Sequence, residues 1–143
     1  MREILFRGKT RNGEWKFGTG LLYDSMHTWL VNNPLHKAIA FGEEHYQVIP
    51  ETVGQYTGLT ANGKKIFEGD IVRCKYANAP KNEHIQKVVF FGCKFMAEFS
   101  NGGCYSELYD GARHLTFDKS AYMTEIEIIG NIHDNPELLK GGD

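Results

Sequence analysis

Apolar and polar residues alternate with a period of two along most of this chain, a pattern typical of β-strands. The segment Asp70–Tyr76 is the clearest case, since its odd-numbered and even-numbered residues fall on opposite faces of a strand. A sustained period of 3.6 residues, which would indicate helices, is hard to find. The pattern therefore predicts an all-β protein.

Turn-forming residues divide the alternating segments. Asn12-Gly13 and Asn62-Gly63 are typical of tight hairpin turns, because both residue types tolerate positive φ. Asn135-Pro136 predicts a short helical turn that starts at the proline, with Asn135 as its cap. A polar loop is predicted at 77–83, whereas 35–46 and 113–123 give no clear signal. Strands are predicted at residues 3–7, 14–17, 21–24, 27–31, 46–49, 53–58, 65–67, 70–76, 85–91, 94–99, 104–109 and 125–132.

The regular spacing of the later strands is typical of an antiparallel meander that forms a small barrel or sandwich. Pro50–Gly54 is the weakest seam in the chain and separates an N-terminal layer from this meander. The sequence thus predicts an N-terminal β layer at 1–52, a barrel-like region at 53–139 and a tail at 140–143.

Composition narrows the class of protein. Hydrophobic residues make up 41% of the 143 positions and aromatic residues 13%, enough to build a core, so wholesale disorder is excluded. A net charge of −2 argues against a generic binder of polyanions. The charged start of the chain does not resemble a secretory signal, and no apolar run is long enough to cross a bilayer. Three cysteines, Cys74, Cys93 and Cys104, lack any Cys-x-x-Cys pair and are expected as free thiols in a reducing cytoplasm.

Three blocks of sequence resemble the YopX family. The first is MREILFRGK at 1–9, followed by GEW at 13–15. The second is PETVGQYTGL at 50–59, which continues as NGKKIFEGDIV at 62–72, and the third is IIGNIHDNPELL at 128–139. They span nearly the whole chain in the family's order, but 77–123 carries no family signature.

The resemblance implies a small, mainly β protein of bacteriophages and prophages without an assigned activity. It brings no catalytic residues to carry over. The EGDIV block at 68–72 also resembles the strand entry of SH3-like barrels. We therefore expect an N-terminal β-hairpin layer packed on a small SH3-like antiparallel barrel, ending in one short helical turn.

Glu68 and Asp70 are the strongest candidates for reaction chemistry. Two positions apart on a strand, their carboxylates would share a face, where they could hold a divalent cation or divide acid and base roles in a metal-dependent hydrolase. The alternative is a turn in which both side chains satisfy backbone N–H groups at the start of a strand. Nucleophile and phosphate-loop motifs are absent from the sequence. Neither catalytic residues, a metal nor a cofactor are therefore predicted, and the turn is favoured over the hydrolase.

The six histidines form no closely spaced pair and are expected to be ordinary side chains at strand ends and in loops. They are His27, His36, His45, His84, His114 and His133.

Charge is unevenly distributed along the chain. Residues 62–87 hold six basic and three acidic side chains, whereas residues 97–137 hold two basic and eight acidic ones. The basic hairpin could contact nucleic-acid phosphates through Lys64, Lys65, Arg73 and Lys75. Equally, the positive region of one copy could dock on the negative region of another, or both could be solvated faces. Protein contact is favoured over nucleic acid, because the acidic region would repel phosphates.

The meander is rich in aromatic side chains that fall on both alternation faces: Phe90, Phe91, Phe95, Phe99, Tyr105 and Tyr109. A small barrel buries only one face, so part of this set would be left for an interface. Alternatively, the N-terminal layer with Trp15, Phe17 and Trp29 covers the second face. The sequence favours a non-catalytic, cytoplasmic binding module whose partner is a second copy, a host protein or a phage protein.

Overall fold

The computed structural model describes residues 3–32, 45–100, 102, 105–108 and 123–140. These residues form twelve strands and two 3₁₀ turns, so the all-β prediction is confirmed. The strands are β1 (Phe6–Lys9), β2 (Trp15–Gly18), β3 (Gly20–Tyr23), β4 (Thr28–Val31), β5 (His45–Val48), β6 (Gly54–Ala61), β7 (Lys64–Phe67), β8 (Asp70–Tyr76), β9 (Ala79–Phe91), β10 (Lys94–Phe99), β11 (Tyr105–Glu107) and β12 (Met123–Asn131). The 3₁₀ turns are Pro50–Thr52 and Pro136–Leu139.

The chain divides into two compact units, Met1–Gly58 and Leu59–Asp143. This division falls a few residues after the seam that the sequence indicates at Pro50–Gly54. Strand β6 runs through the division, so that its first residues pair with β1 and its last residues form a hairpin with β7.

The first unit is built from short antiparallel strands. β2 pairs with β1, and β3, β4 and β5 form a three-stranded sheet. Gly18 allows β2 to approach β4 closely, because a Cβ atom at this position would lie 2.8 Å from the carbonyl oxygen of Val31. The side-chain oxygen of Thr52 links the first 3₁₀ turn to β1, because it accepts a hydrogen bond from the backbone N–H of Lys9 at 2.8 Å.

The second unit contains a five-stranded antiparallel sheet in the order β11-β10-β9-β8-β12. In β8, Val72, Cys74 and Tyr76 point into the core, as the alternation predicts, while Arg73 and Lys75 lie on the outer face. The buried core residues are Ala61, Ile66, Val72, Cys74, Tyr76, Val88, Ala97, Leu108, Met123 and Ile126. The strand pairings do not establish an SH3-like barrel, which stays a prediction.

Two hairpins of this unit have two-residue turns with positive φ at both positions, the requirement of a type I′ turn. Asn62 (φ 51°) and Gly63 (φ 78°) join β6 to β7, as the sequence predicts. Gly92 (φ 59°) and Cys93 (φ 66°) join β9 to β10. A cysteine is an unusual residue for this conformation, which lies outside the region that side chains prefer.

The loop prediction for 77–83 is wrong. β9 begins at Ala79 and extends the β8–β9 hairpin to a tight turn at residues 77 and 78. The polar side chains of this stretch are exposed. Ala79 pairs with Tyr76 of β8, and the register is irregular from there to the pair of His84 with Cys74. The stretch has no alternating apolar face from which the sequence could predict a strand.

The C-terminal helical turn is present as the 3₁₀ turn Pro136–Leu139, and Asn135 stands at its N-cap position, but the Asn135 side chain makes no capping hydrogen bond. Its side-chain oxygen instead accepts a hydrogen bond from the N–H of Asn131 at 3.3 Å. The carbonyl of Asn131 in turn accepts one from the N–H of Asn135 at 2.8 Å. Asn135 thus ties the turn back to the end of β12.

Candidate binding surfaces

Asp70 and Glu68 differ in how deeply their side chains are buried. Asp70 is the first residue of β8 and is 2% exposed, and its Oδ2 accepts a hydrogen bond from the backbone N–H of Phe67 at 2.7 Å. Gly69 between them adopts φ 90° and donates its N–H to the carbonyl of Val88 at 2.9 Å. This geometry favours the turn-forming interpretation for Asp70.

Glu68 lies in the turn and is half-buried, and this burial raises the pKa of its carboxyl group. No group of three or more metal-ligating side chains occurs in the part of the chain that the structure describes. The hypothesis of a metal-dependent hydrolase therefore still rests on the sequence alone.

Of the histidines, His27 lies in an exposed turn with its Nδ1 3.1 Å from both carboxylate oxygens of Asp24. The ring of His84 packs edge-on against Tyr76 and Phe99, at centroid distances of 5.5 and 5.6 Å. His36, His114 and Cys104 lie outside the described residues, as does Tyr109. These contacts give His84 a packing role.

Cys74 lies in the core, and burial raises the pKa of its thiol from 9.0 to about 12. Above pH 9 the unfolded chain loses this proton before the folded chain does, so stability falls as the pH rises towards 12. The slope contributed by one such group is at most about 1.4 kcal/mol per pH unit. We expect urea denaturation between pH 8 and about 10 to show this loss of stability.

Cys74→Ala is expected to flatten this pH dependence while lowering stability at neutral pH through the cavity it leaves. The matched control is Cys93→Ala, which removes an exposed thiol and should keep the wild-type slope. Parallel stability curves for the wild type and Cys74→Ala would contradict the assignment.

Opposite charges pair between neighbouring strands of the second unit. Arg73 lies 3.2 Å from Glu127 and 3.6 Å from Glu83. Lys75 lies 3.0 Å from Glu125. The basic segment and the acidic segment therefore neutralise one another in part within one chain, which weakens the argument for charge-driven docking of copies.

These ion pairs also affect the hypothesis that the basic residues bind nucleic acid. Arg73 and Lys75 already contact carboxylates, whereas Lys64 and Lys65 lie exposed on β7. The four basic residues thus do not form one uncompensated surface, and this arrangement argues against a phosphate-binding face.

A groove of about 470 Å³ lies beside these charge pairs. Arg73 and Lys75, from the outer face of β8, are among the residues that line it. One strand, β12, contributes four consecutive residues to its wall. The lining residues are Thr60, Ala61, Asn62, Arg73, Lys75, Glu83, Thr124, Glu125, Ile126 and Glu127.

Aromatic side chains are exposed where β9 and β10 meet their turn. Phe90 is 59% and Phe91 52% exposed. Phe91 stacks on Tyr105 with ring centroids 4.0 Å apart, and Phe90 contacts Phe95 edge-on at 5.2 Å. We call Phe90, Phe91 and Tyr105 the aromatic tip. These three residues belong to the aromatic set from which the sequence predicts an interface.

A network of polar side chains from β8, β9 and β11 lies buried against the five-stranded sheet of the second unit. The hydroxyl of Tyr76 donates to Oε1 of Gln86, a residue with no exposed surface, and lies 2.6 Å from Oγ of Ser106. Nε2 of Gln86 donates to the carbonyl of Ala97 at 3.3 Å. Burial raises the pKa of Tyr76 to about 12, which extends the pH range over which its hydroxyl keeps the proton that it donates to Gln86. The alternation pattern of the sequence does not predict this network.

The groove was missed as well, because it depends on which strands become neighbours. For the buried polar network, the sequence held one signal: Gln86 is a polar residue on the same alternation face as Val88.

The YopX family model matches residues 5–140. The chain belongs to the YopX family. A solved structure, protein EF1440 from Enterococcus faecalis, is similar at 25% identity and a TM-score of 0.51, with 95% of this chain and 97% of that one covered. No curated protein matches the YopX-family chain. In the described residues, none of the helices has the length and apolar character of a membrane span.

Proposed function

We propose that this YopX-family protein is a non-catalytic binding module that self-associates through the aromatic tip. The observation that supports the proposal is that Phe90 and Phe91, next to the turn between β9 and β10, are 59% and 52% exposed. Large apolar side chains clustered on a surface favour contact with another protein.

A second copy is the occupant that fits this patch best. Most soluble assemblies are symmetric, and a two-fold contact places the same patch on both partners. An aromatic patch is complementary to itself, because rings pack in offset or edge-on geometry, as Phe90 and Phe95 already do. A charged patch would instead repel its own copy.

Light scattering after size exclusion tests self-association at tens of micromolar protein. The wild type is expected to have the mass of a dimer or larger assembly, and Phe90→Ser/Phe91→Ser that of a monomer. The matched control, Tyr23→Ser/Met26→Ser, removes two other exposed apolar side chains, which lie in the first unit. It should keep the wild-type mass. A monomeric wild type, or a double variant of unchanged mass, would overturn the proposal.

The proposed setting is the reducing cytoplasm of a bacterial host, where the protein would serve as a phage-derived accessory factor. The free thiols of Cys74 and Cys93 support this setting, since oxidising compartments favour disulfides. A host or phage protein on the aromatic tip is the alternative that remains if the wild type is monomeric. In that case the purified chain stays monomeric until the partner is added.

A further inference from the structure

We propose that the groove beside β12 binds an extended peptide segment that carries basic side chains at alternating positions. The segment would add to the sheet as a further strand along β12. This site lies apart from the aromatic tip and does not depend on self-association.

The first argument is the free edge of β12. Among the strands that the structure describes, β12 pairs with β8 only and stands at one end of the sheet. An edge strand presents a row of backbone N–H and C=O groups that pair readily with another extended chain. The register is irregular between Met123 and Glu125 and again between Ile128 and Gly130. The regular stretch from Glu125 to Ile128 spans about 13 Å, enough for four residues of a bound strand.

The second argument is how β12 borders the groove. Thr124, Glu125, Ile126 and Glu127 all line it. Successive side chains of a strand point to opposite faces, so a cavity above one face meets only every second residue. Glu125, Ile126 and Glu127 are three consecutive lining residues within the regular stretch, so the groove meets both faces of β12 and reaches the backbone edge between them.

The third argument is charge. Glu83, Glu125 and Glu127 line the groove together with two cations, Arg73 and Lys75. The side chains of Glu125 and Glu127 are 65% and 56% exposed, whereas those of Lys75 and Arg73 are 31% and 41% exposed. An approaching ligand thus meets carboxylates first. Glu125 and Glu127 already pair with Lys75 and Arg73, so a basic peptide exchanges these ion pairs for new ones of similar strength. The charges therefore select the ligand and its register, and the backbone hydrogen bonds along β12 supply the affinity.

Spacing then defines the ligand. Glu125 and Glu127 are two residues apart and point to the same face, so they match basic residues at positions i and i+2 of a paired strand. The residue between them would lie beside Ile126, which favours an apolar, β-branched side chain. A capped peptide of alternating lysine and valine therefore has the chemistry that the groove recognises.

The test titrates this Lys-Val peptide into the full-length ¹⁵N-labelled protein and follows amide chemical shifts. We expect saturable shifts at residues 124–128 and 60–62. Glu125→Gln/Glu127→Gln should weaken binding about tenfold, because it removes two cross-strand charge pairs. The control Glu51→Gln/Glu137→Gln makes the same change in net charge at two other exposed carboxylates and should bind as the wild type does.

Two further peptides separate strand addition from simple charge attraction. Proline in place of the central valine removes a backbone donor and should abolish binding. A peptide of the same composition with its lysines in one block should bind more weakly, since it breaks the alternation. Equal binding of all three peptides, shifts confined to other residues, or no shifts at millimolar peptide would each overturn the proposal. The last result would leave Glu125 and Glu127 as charges that keep an edge strand from aggregating.

Discussion

Asp70→Ala is expected to lower the free energy of unfolding by about 2–3 kcal/mol, the range for a lost hydrogen bond to a buried charged group. The carboxylate of Asp70 accepts the N–H of Phe67 in a site that is 2% exposed. Alanine would leave that N–H without this acceptor and away from water. Urea denaturation followed by fluorescence or circular dichroism measures the change.

Two companion variants show whether Asp70 acts through the turn. Asp70→Asn keeps an acceptor oxygen and should recover part of the lost stability. Glu68→Gln should leave stability at pH 7 unchanged or higher, because burial raises the pKa of Glu68 and its ionised form is the unfavourable one. This gain should vanish as the pH falls below 4.5, where the carboxyl group is protonated in both states.

A catalytic carboxylate pair would behave differently. Residues retained for chemistry at a cost in stability commonly give a more stable protein when they are removed. An unchanged or increased stability of Asp70→Ala would therefore contradict the turn-forming role and revive the hydrolase hypothesis.

Local chemistry explains which elements could be predicted from the sequence. The turn at Asn62-Gly63 was predictable because both residues adopt positive φ readily. The turn at Gly92-Cys93 was predicted only as a break at the glycine, since cysteine has no preference for this conformation. There the pairing of β9 with β10 imposes the backbone geometry. The first residues of β9 were missed because their exposed polar side chains give no alternating pattern.

The candidate sites depend on contacts between residues far apart in the chain. The pair of Arg73 and Glu127 spans 54 positions, and it forms only in the register of β8 with β12. Alternation places each side chain on a face but does not say which strand lies beside it. The aromatic tip was predictable in part, because Phe90 and Phe91 are neighbours on one strand, whereas Tyr105 and the groove required the strand order.

Tyr76→Phe is expected to destabilise the protein by about 2 kcal/mol, within the range for leaving a buried polar group unsatisfied. The substitution keeps the ring, which stacks on Phe99 at 5.9 Å, and removes only the hydroxyl. Oε1 of Gln86 then loses its donor in a site without solvent exposure. The surface control is Tyr23→Phe, at a tyrosine that is 70% exposed, and it should change stability by less than about 0.5 kcal/mol.

A double-mutant cycle with Gln86→Leu decides whether the Tyr76 hydroxyl stabilises the protein through Gln86 or independently of it. Gln86→Leu removes the polar partner, so the later loss of the Tyr76 hydroxyl orphans nothing on residue 86. Tyr76→Phe/Gln86→Leu should therefore cost less than the two single changes together, with a coupling energy of about 1–2 kcal/mol. Strictly additive costs would mean that the hydroxyl and the amide stabilise the sheet independently, through Ser106 and the carbonyl of Ala97.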